Sequence, residues 1–287
     1  MNLRRFFFIS LLAIVVALSL PSARAQRVES HAATRHFELG EELYFEAEYS
    51  RSVLRNLDVA ELKFRATRTP LNETSNSAQS KPYALTLSAD VASKGFFPRL
   101  FNVKFRERVE STVEPVSFTV QRTTILDESG KRVRTTESTF DRTKGKMTWT
   151  SRDPNNPSAE PRHAITDFSG QLQDVLSAIY FIRTQPLEVG KTFEVFVGDG
   201  GKVYKIPVKV VERRRMKTIL GRVNVLRVSP ELFGPGRLIE DEKGEFTIWY
   251  TDDAHHIPVG GRVKSDYGTF DIKLKRITKP SAVAAGR

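Results

Sequence analysis

Through most of this chain apolar and polar residues alternate one for one, and that period commits it to strands. Leu43, Phe45, Ala47 and Tyr49 fall on one side of an extended backbone, with Glu42, Tyr44, Glu46 and Glu48 on the other. Ala60, Leu62, Phe64 and Ala66 repeat the pattern, as do Tyr83, Leu85, Leu87, Ala89 and Val91. Further strands are expected over 101–113, 116–126, 131–140, 146–150, 192–197, 203–211, 218–229, 245–250, 257–264 and 269–277. Pro115, the run 127–130, the glycine-rich 198–201 and the basic run Arg213-Arg214-Arg215-Met216-Lys217 read as turns, and 69–82, 151–161 and 232–238 as loops. About a dozen strands are more than a flat sheet carries without curling. The expected fold is therefore mainly β: a large antiparallel sheet curled into a roll or barrel-like shape, with one central amphipathic helix.

That helix is the stretch over 166–184, where the period changes. Leu172, Val175, Leu176, Ile179 and Tyr180 recur at the spacing of one helical face. Asp167 or Ser169 is expected to cap the first turn, with Asp174 near the positive N-terminal end and Arg183 in the last turn. Pro186 and Gly190 then end the helix. Its apolar stripe is read as packing on the sheet to complete the core, not as a lid.

Arg4 and Arg5, the apolar run 6–18 and Ala23-Arg24-Ala25 form an export signal, cleaved after Ala25. The 13-residue run is shorter than the roughly 20 residues that span a bilayer. The expectation is a periplasmic protein that does not span the membrane after cleavage. It would comprise a flexible lead over 26–36, a single β-rich domain over 37–277 and a flexible tail over 278–287. The chain has no cysteine, which excludes disulfides, thiolate chemistry and cysteine zinc sites. Its formal net charge is +11, of which the leader carries three. Export argues against nucleic acid as the partner of this charge. An anionic envelope surface or solvated strand faces account for it better, and Lys104, Arg106, Arg108, Lys131, Arg132 and Arg134 are read as facing outward.

No catalytic motif is present: there is no G-x-S-x-G elbow and no H-E-x-x-H helix, and His31, His36 and His163 are isolated. The glycines at 198–201 lack the Lys-Ser/Thr and following helix of a phosphate loop, so no cofactor is expected. Asp252, Asp253, His255 and His256 are the weak candidates for a metal site, since carboxylates and imidazoles lie close together. Asp also closes turns by accepting backbone hydrogen bonds, and the turn reading is preferred here. The adjacent aromatics Phe96 and Phe97 are read as core packing.

With Gly40, Glu41, Leu43 and Tyr44, the run 176–183 ending in aromatic-x-Arg, 186–190, and Trp249 to Val259 in view, the chain resembles the bacterial family known as domain of unknown function 3108. It departs from that family's tendency to carry glycine in the second strand, having Asn56-Leu57-Asp58-Val59-Ala60 there. The resemblance implies an envelope protein with a curved, mostly β domain and no assigned reaction. Trp249 and Tyr250 are expected on opposite faces of one strand, with Asp252 and Asp253 closing its turn.

The expected function is non-catalytic: binding an amphiphilic or anionic envelope component, such as a lipid or glycolipid, with apolar burial inside and Lys and Arg at the rim. Assembly with another envelope protein is the alternative, and a wall-polymer hydrolase is the third reading. A carrier predicts an internal cavity above about 300 Å3, and an assembly partner an exposed strand edge.

Overall fold

The computed structural model describes residues 38–70, 83–95, 104–240 and 243–279. The expected export signal, the lead with His31 and His36, most of the loop over 69–82, Phe96 and Phe97, and the tail beyond 279 lie outside them. The strands are β1 (Glu42–Arg51), β2 (Leu54–Pro70), β3 (Tyr83–Ser93), β4 (Phe105–Glu114), β5 (Thr119–Ser129), β6 (Arg132–Asp141), β7 (Lys146–Arg152) and β8 (Arg162–Asp167). After β9 (Leu172–Gln173) and the helix α1 (Val175–Arg183) come β10 (Thr192–Asp199), β11 (Lys202–Thr218), β12 (Gly221–Pro230), β13 (Gly244–Thr251), β14 (Pro258–Ser265) and β15 (Gly268–Thr278).

All fifteen strands belong to one sheet, in the order β8-β7-β6-β5-β4-β3-β2-β1-β15-β14-β13-β12-β11-β10-β9. Hairpin connections run outward from β1 to one edge, and a second series runs inward from the other edge until β15 pairs with β1. Between the two series the chain passes through β9 and α1, and β9 pairs with β10 in parallel. The ladder does not close. Side chains bridge the seam instead: Thr166 Oγ1 donates to the Gly201 carbonyl at 2.5 Å, and Gln173 Nε2 donates to the Phe118 carbonyl at 2.7 Å. Two glycines permit the approach. A Cβ on Gly198 would lie 2.5 Å from Met147 Sδ, and one on Gly201 would lie 2.7 Å from the Ala164 methyl.

The helix lies inside this roll, and none of its residues is exposed. At nine residues it is too short to hold in water alone, so burial on all sides stabilises it. Leu176 and Tyr180 pack with Ala66, Leu85, Leu87 and Val113 from β2–β4. Ala178 and Ile182, on another face, pack with Val195, Val208, Leu226 and Ile248 from β10–β13. The single stripe read from the sequence is therefore two stripes, one for each half of the sheet.

Several expectations need correction. The helix begins at Val175, not near Thr166. Asp174 is its N-cap, its carboxylate accepting the Leu176 and Ser177 N–H groups, while Ser177 Oγ accepts the Asp174 N–H. Gly170, at φ +80°, breaks the chain away from β8, whose residues pair with β7 instead of coiling. The turn expected over 127–130 comes later, because 127–129 still pair with 132–134. The basic run Arg213–Lys217 is strand, not turn. Arg134 pairs with Asp127 on the inner side of the sheet, not the outer one. Trp249 and Tyr250 do face opposite ways: Tyr250 Oη donates to the Ile179 carbonyl of α1, while Trp249 lies between the guanidinium groups of Arg214 and Arg262. No described helix is long and apolar enough to cross a membrane.

At the C-terminal end of α1, Arg183 is wholly buried and makes a two-pronged ion pair with Glu41, at 2.6 Å and 3.2 Å. Its Nε donates to the His255 carbonyl, and the Arg183 carbonyl lies 2.9 Å from His256 Nδ1. Removing one partner of a buried pair strands the other charge, at a cost of about 3–5 kcal/mol. Arg183→Met is thus expected to lower unfolding stability by that amount in urea titrations, and adding Glu41→Leu should recover much of the loss. Equal stability of Arg183→Met and the parent would show the pair to be dispensable.

Candidate functional site

The inner face of the roll changes character along the sheet. On β1–β3 the inward positions are Leu43, Phe45, Leu62, Leu87, Ala89 and Val91, all buried and apolar. On β4–β6 the same alternation brings polar groups inward. Ser111, Thr123 and Ser138 are register partners across three strands, and Glu107, Asp127 and Arg134 form a second such row. Cross-strand neighbours on one face touch, so these rows make a polar strip in an otherwise apolar lining.

Between this strip and α1 lies a cavity of about 210 Å3. Its apolar side is formed by Phe45, Leu62, Val91, Val197, Ile206 and Ile248 with Ala178 and Ile179 of the helix. Its polar side holds Glu107, Thr123, Thr136, Ser138, Asp174 and Asp199. Glu107 is 6% exposed and has no hydrogen-bond partner among the described residues. Asp174 is otherwise engaged, capping the helix and accepting from Thr123 Oγ1 at 2.8 Å.

Burial is the main reason that the Glu107 carboxyl is pushed up to about 8, and the nearby charges of Asp127 and Asp199 add to it. Burial likewise pushes Asp199 up to about 7, with Asp174 adding and the Gly200 N–H opposing. Asp127 is raised by burial despite Arg132, whose guanidinium donates to it at 2.6 Å. The chamber thus offers a carboxylic acid without a hydrogen-bond partner against apolar walls.

A second depression, about 740 Å3, lies over the outer face of β2–β7. It is larger but open, and cations such as Lys63 and Arg108 alternate around it with Asp90, Glu110 and Glu137. Its charges pair across strands, Arg106 with Asp90 and Arg122 with Glu137. This face concentrates neither charge sign nor apolar surface, so the apolar-walled chamber beside α1 is the candidate site.

The sequence-derived metal candidates do not converge. Asp252 pairs outward with Arg213 at 2.6 Å, and Asp253 accepts the backbone N–H groups of His255 and His256, closing the turn. The His256 ring turns to the Arg183 carbonyl. Among the described residues no three His, Cys, Asp or Glu side chains form a metal-holding group. His163 contacts Thr150 on the exposed strand pair. Reading from sequence missed Glu107 and Asp199. A signal for Glu107 was present, since it stands in phase with Phe105, Val109 and Val113. Asp199 carried none, being placed in a glycine turn.

Because both carboxyls bind protons more tightly in the folded chain, the native state holds protons that the unfolded chain releases above about pH 4. Stability therefore falls as pH rises from about 4 toward 8. Glu107→Gln should raise stability on the order of 3 kcal/mol above pH 8 and change it little near pH 4, as read from urea midpoints at both pH values. A pH-independent effect would count against a protonated Glu107.

The profile of the family described as "Protein of unknown function (DUF3108)" matches residues 50–275. No curated protein matches the chain. Among solved structures, a β-barrel-like protein of domain of unknown function DUF1849 from Brucella abortus superposes with a TM-score of 0.49 at 8% identity, covering 83% of this chain and 97% of that one. A protein from Bacteroides fragilis described as exported, with a YmcC-like fold, gives a TM-score of 0.29 at 9% identity over 84% of this chain and 97% of that one. With most of its length matched by the profile, this chain belongs to the DUF3108 family.

Proposed function

We propose that this protein acts by binding and not by chemistry, as an exported envelope protein that holds one amphiphile with its apolar part inside the roll. The apolar cavity beside α1 carries this reading. At about 210 Å3 it is smaller than the 300 Å3 expected of a carrier for a whole lipid. It exceeds the roughly 150 Å3 that admits benzene, so it suits a short or single acyl chain. The acid wall refines the ligand. Glu107 and Asp199, which line it, would have to stay protonated beside a carboxylate or phosphate, and an unpartnered buried carboxyl favours a hydroxyl, amide or ammonium group.

Native mass spectrometry with organic extraction, on protein purified gently from the envelope, should reveal a bound amphiphile with such a donor group. Ala178→Phe, which fills the cavity from the helix, should abolish the adduct. A clean apo mass from gently purified protein, or an adduct retained by Ala178→Phe, would overturn the reading.

Assembly with another envelope protein is supported by one observation. The edge of β8 that faces the seam has no ladder partner among the described residues, meeting the β10–β11 turn only through Thr166 and Ala164, and Ile165 on that strand is 58% exposed. Such an edge accepts an added strand, and photocrosslinking from position 165 in cells would capture that partner.

A further inference from the structure

The β11–β12 hairpin outruns its neighbours. β10 pairs with β11 only up to Lys209, and β13 pairs with β12 only from Val225. From Arg215 to Val223 the two strands therefore pair only with each other, joined by Ile219 and Leu220. Period two divides this ribbon sharply. Arg214, Met216, Val223 and Val225 share one face, of which Arg214 is exposed and the rest is covered: Met216 and Val223 pack on the cluster that contains Trp249, and the Arg214 guanidinium lies 5.2 Å from the Trp249 ring. Arg213, Arg215, Lys217, Arg222 and Asn224 share the other face, and all are exposed.

On that free face Arg213 is neutralised by Asp252. Arg215, Lys217 and Arg222 have no acidic partner among the described residues, and no acid occurs between Arg213 and Pro230. The tip is unusual for a hairpin. Turns favour Gly, Asn, Asp and Ser, yet Ile219 and Leu220 stand 46% and 41% exposed, and Gly221 at φ +89° already supplies the left-handed turn residue. Neither turn geometry nor core packing accounts for two large apolar side chains there.

We propose that this ribbon is a membrane-docking finger for anionic lipid bilayers, with Ile219 and Leu220 entering the acyl boundary and Arg215, Lys217 and Arg222 meeting headgroup phosphates. The spacing fits. At about 3.3 Å per residue, Lys217 and Arg222 each lie two residues behind the apolar tip, which puts them at headgroup level when the tip is inserted about 5 Å. This inference is independent of what occupies the interior.

Vesicle flotation tests it, comparing phosphatidylethanolamine–phosphatidylglycerol vesicles with phosphatidylcholine alone. The protein should float with the anionic vesicles only, and high salt should release it. Replacing Arg215, Lys217 and Arg222 together by Gln should weaken partitioning about 100-fold. A separate variant, Leu220→Trp, keeps every charge, and its added emission should shift to the blue on the anionic vesicles. Equal partitioning into both vesicle types, unchanged binding by the triple variant, an unshifted Leu220→Trp spectrum, or tighter binding to a DNA oligonucleotide than to the anionic vesicles would overturn the proposal.

Discussion

The buried ion pair between Arg183 and Glu41 is the interaction on which the architecture turns. It joins the last turn of the helix to the residue before β1, and through the His255 carbonyl it includes the β13–β14 loop. These are three of the four segments that carry the family resemblance: the Gly40-Glu41 start, the aromatic-x-Arg helix end and the Asp252-Asp253 turn. Far apart in sequence, they meet at one buried charge. A guanidinium without water needs its donors matched by fixed acceptors, and here each acceptor comes from a different part of the sheet. Helix, first strand and late hairpin are thereby held in one arrangement.

A helix anchored in this way allows a long sheet to roll without completing its ladder. Both halves of the sheet bury apolar side chains against α1, so each half takes its curvature from the same nine residues. The seam between β8 and β9 then needs only side-chain bridges and two glycines. The interior that results is not uniform. Apolar walls leave a chamber where the polar strip of β4–β6 meets the helix cap, and low polarity there keeps a carboxyl protonated that would ionise in water.

The outside follows different physics. Many of its cations are paired with acids across strands, as Arg262 is with Asp271 and Lys273 with Glu48. Such exposed pairs contribute little stability individually, but they cancel charge over most of the roll. The β11–β12 ribbon escapes this cancellation because its outward face carries no acid.

Strand alternation made much of this fold legible. Leu43, Phe45, Ala47 and Tyr49 could be assigned inward from sequence, because a period of two has only one solution when one face is buried. The helix was legible in existence and not in extent: Asp174 caps it, but choosing between Asp167, Ser169 and Asp174 requires knowing that β8 pairs with β7. The site itself was largely hidden. Glu107 stood in phase with apolar neighbours, whereas Asp199 looked like any acid in a glycine turn. The four-residue Asp and His cluster looked more like chemistry than either, yet it closes a turn. What the amino-acid sequence determined alone is the strand-rich class, the existence of the helix in mid-chain and the inward faces, since these follow from local period and propensity. Tertiary structure decided which charges lie buried, which strand edges meet and where the cavity falls, because those depend on contacts between residues a hundred or more positions apart.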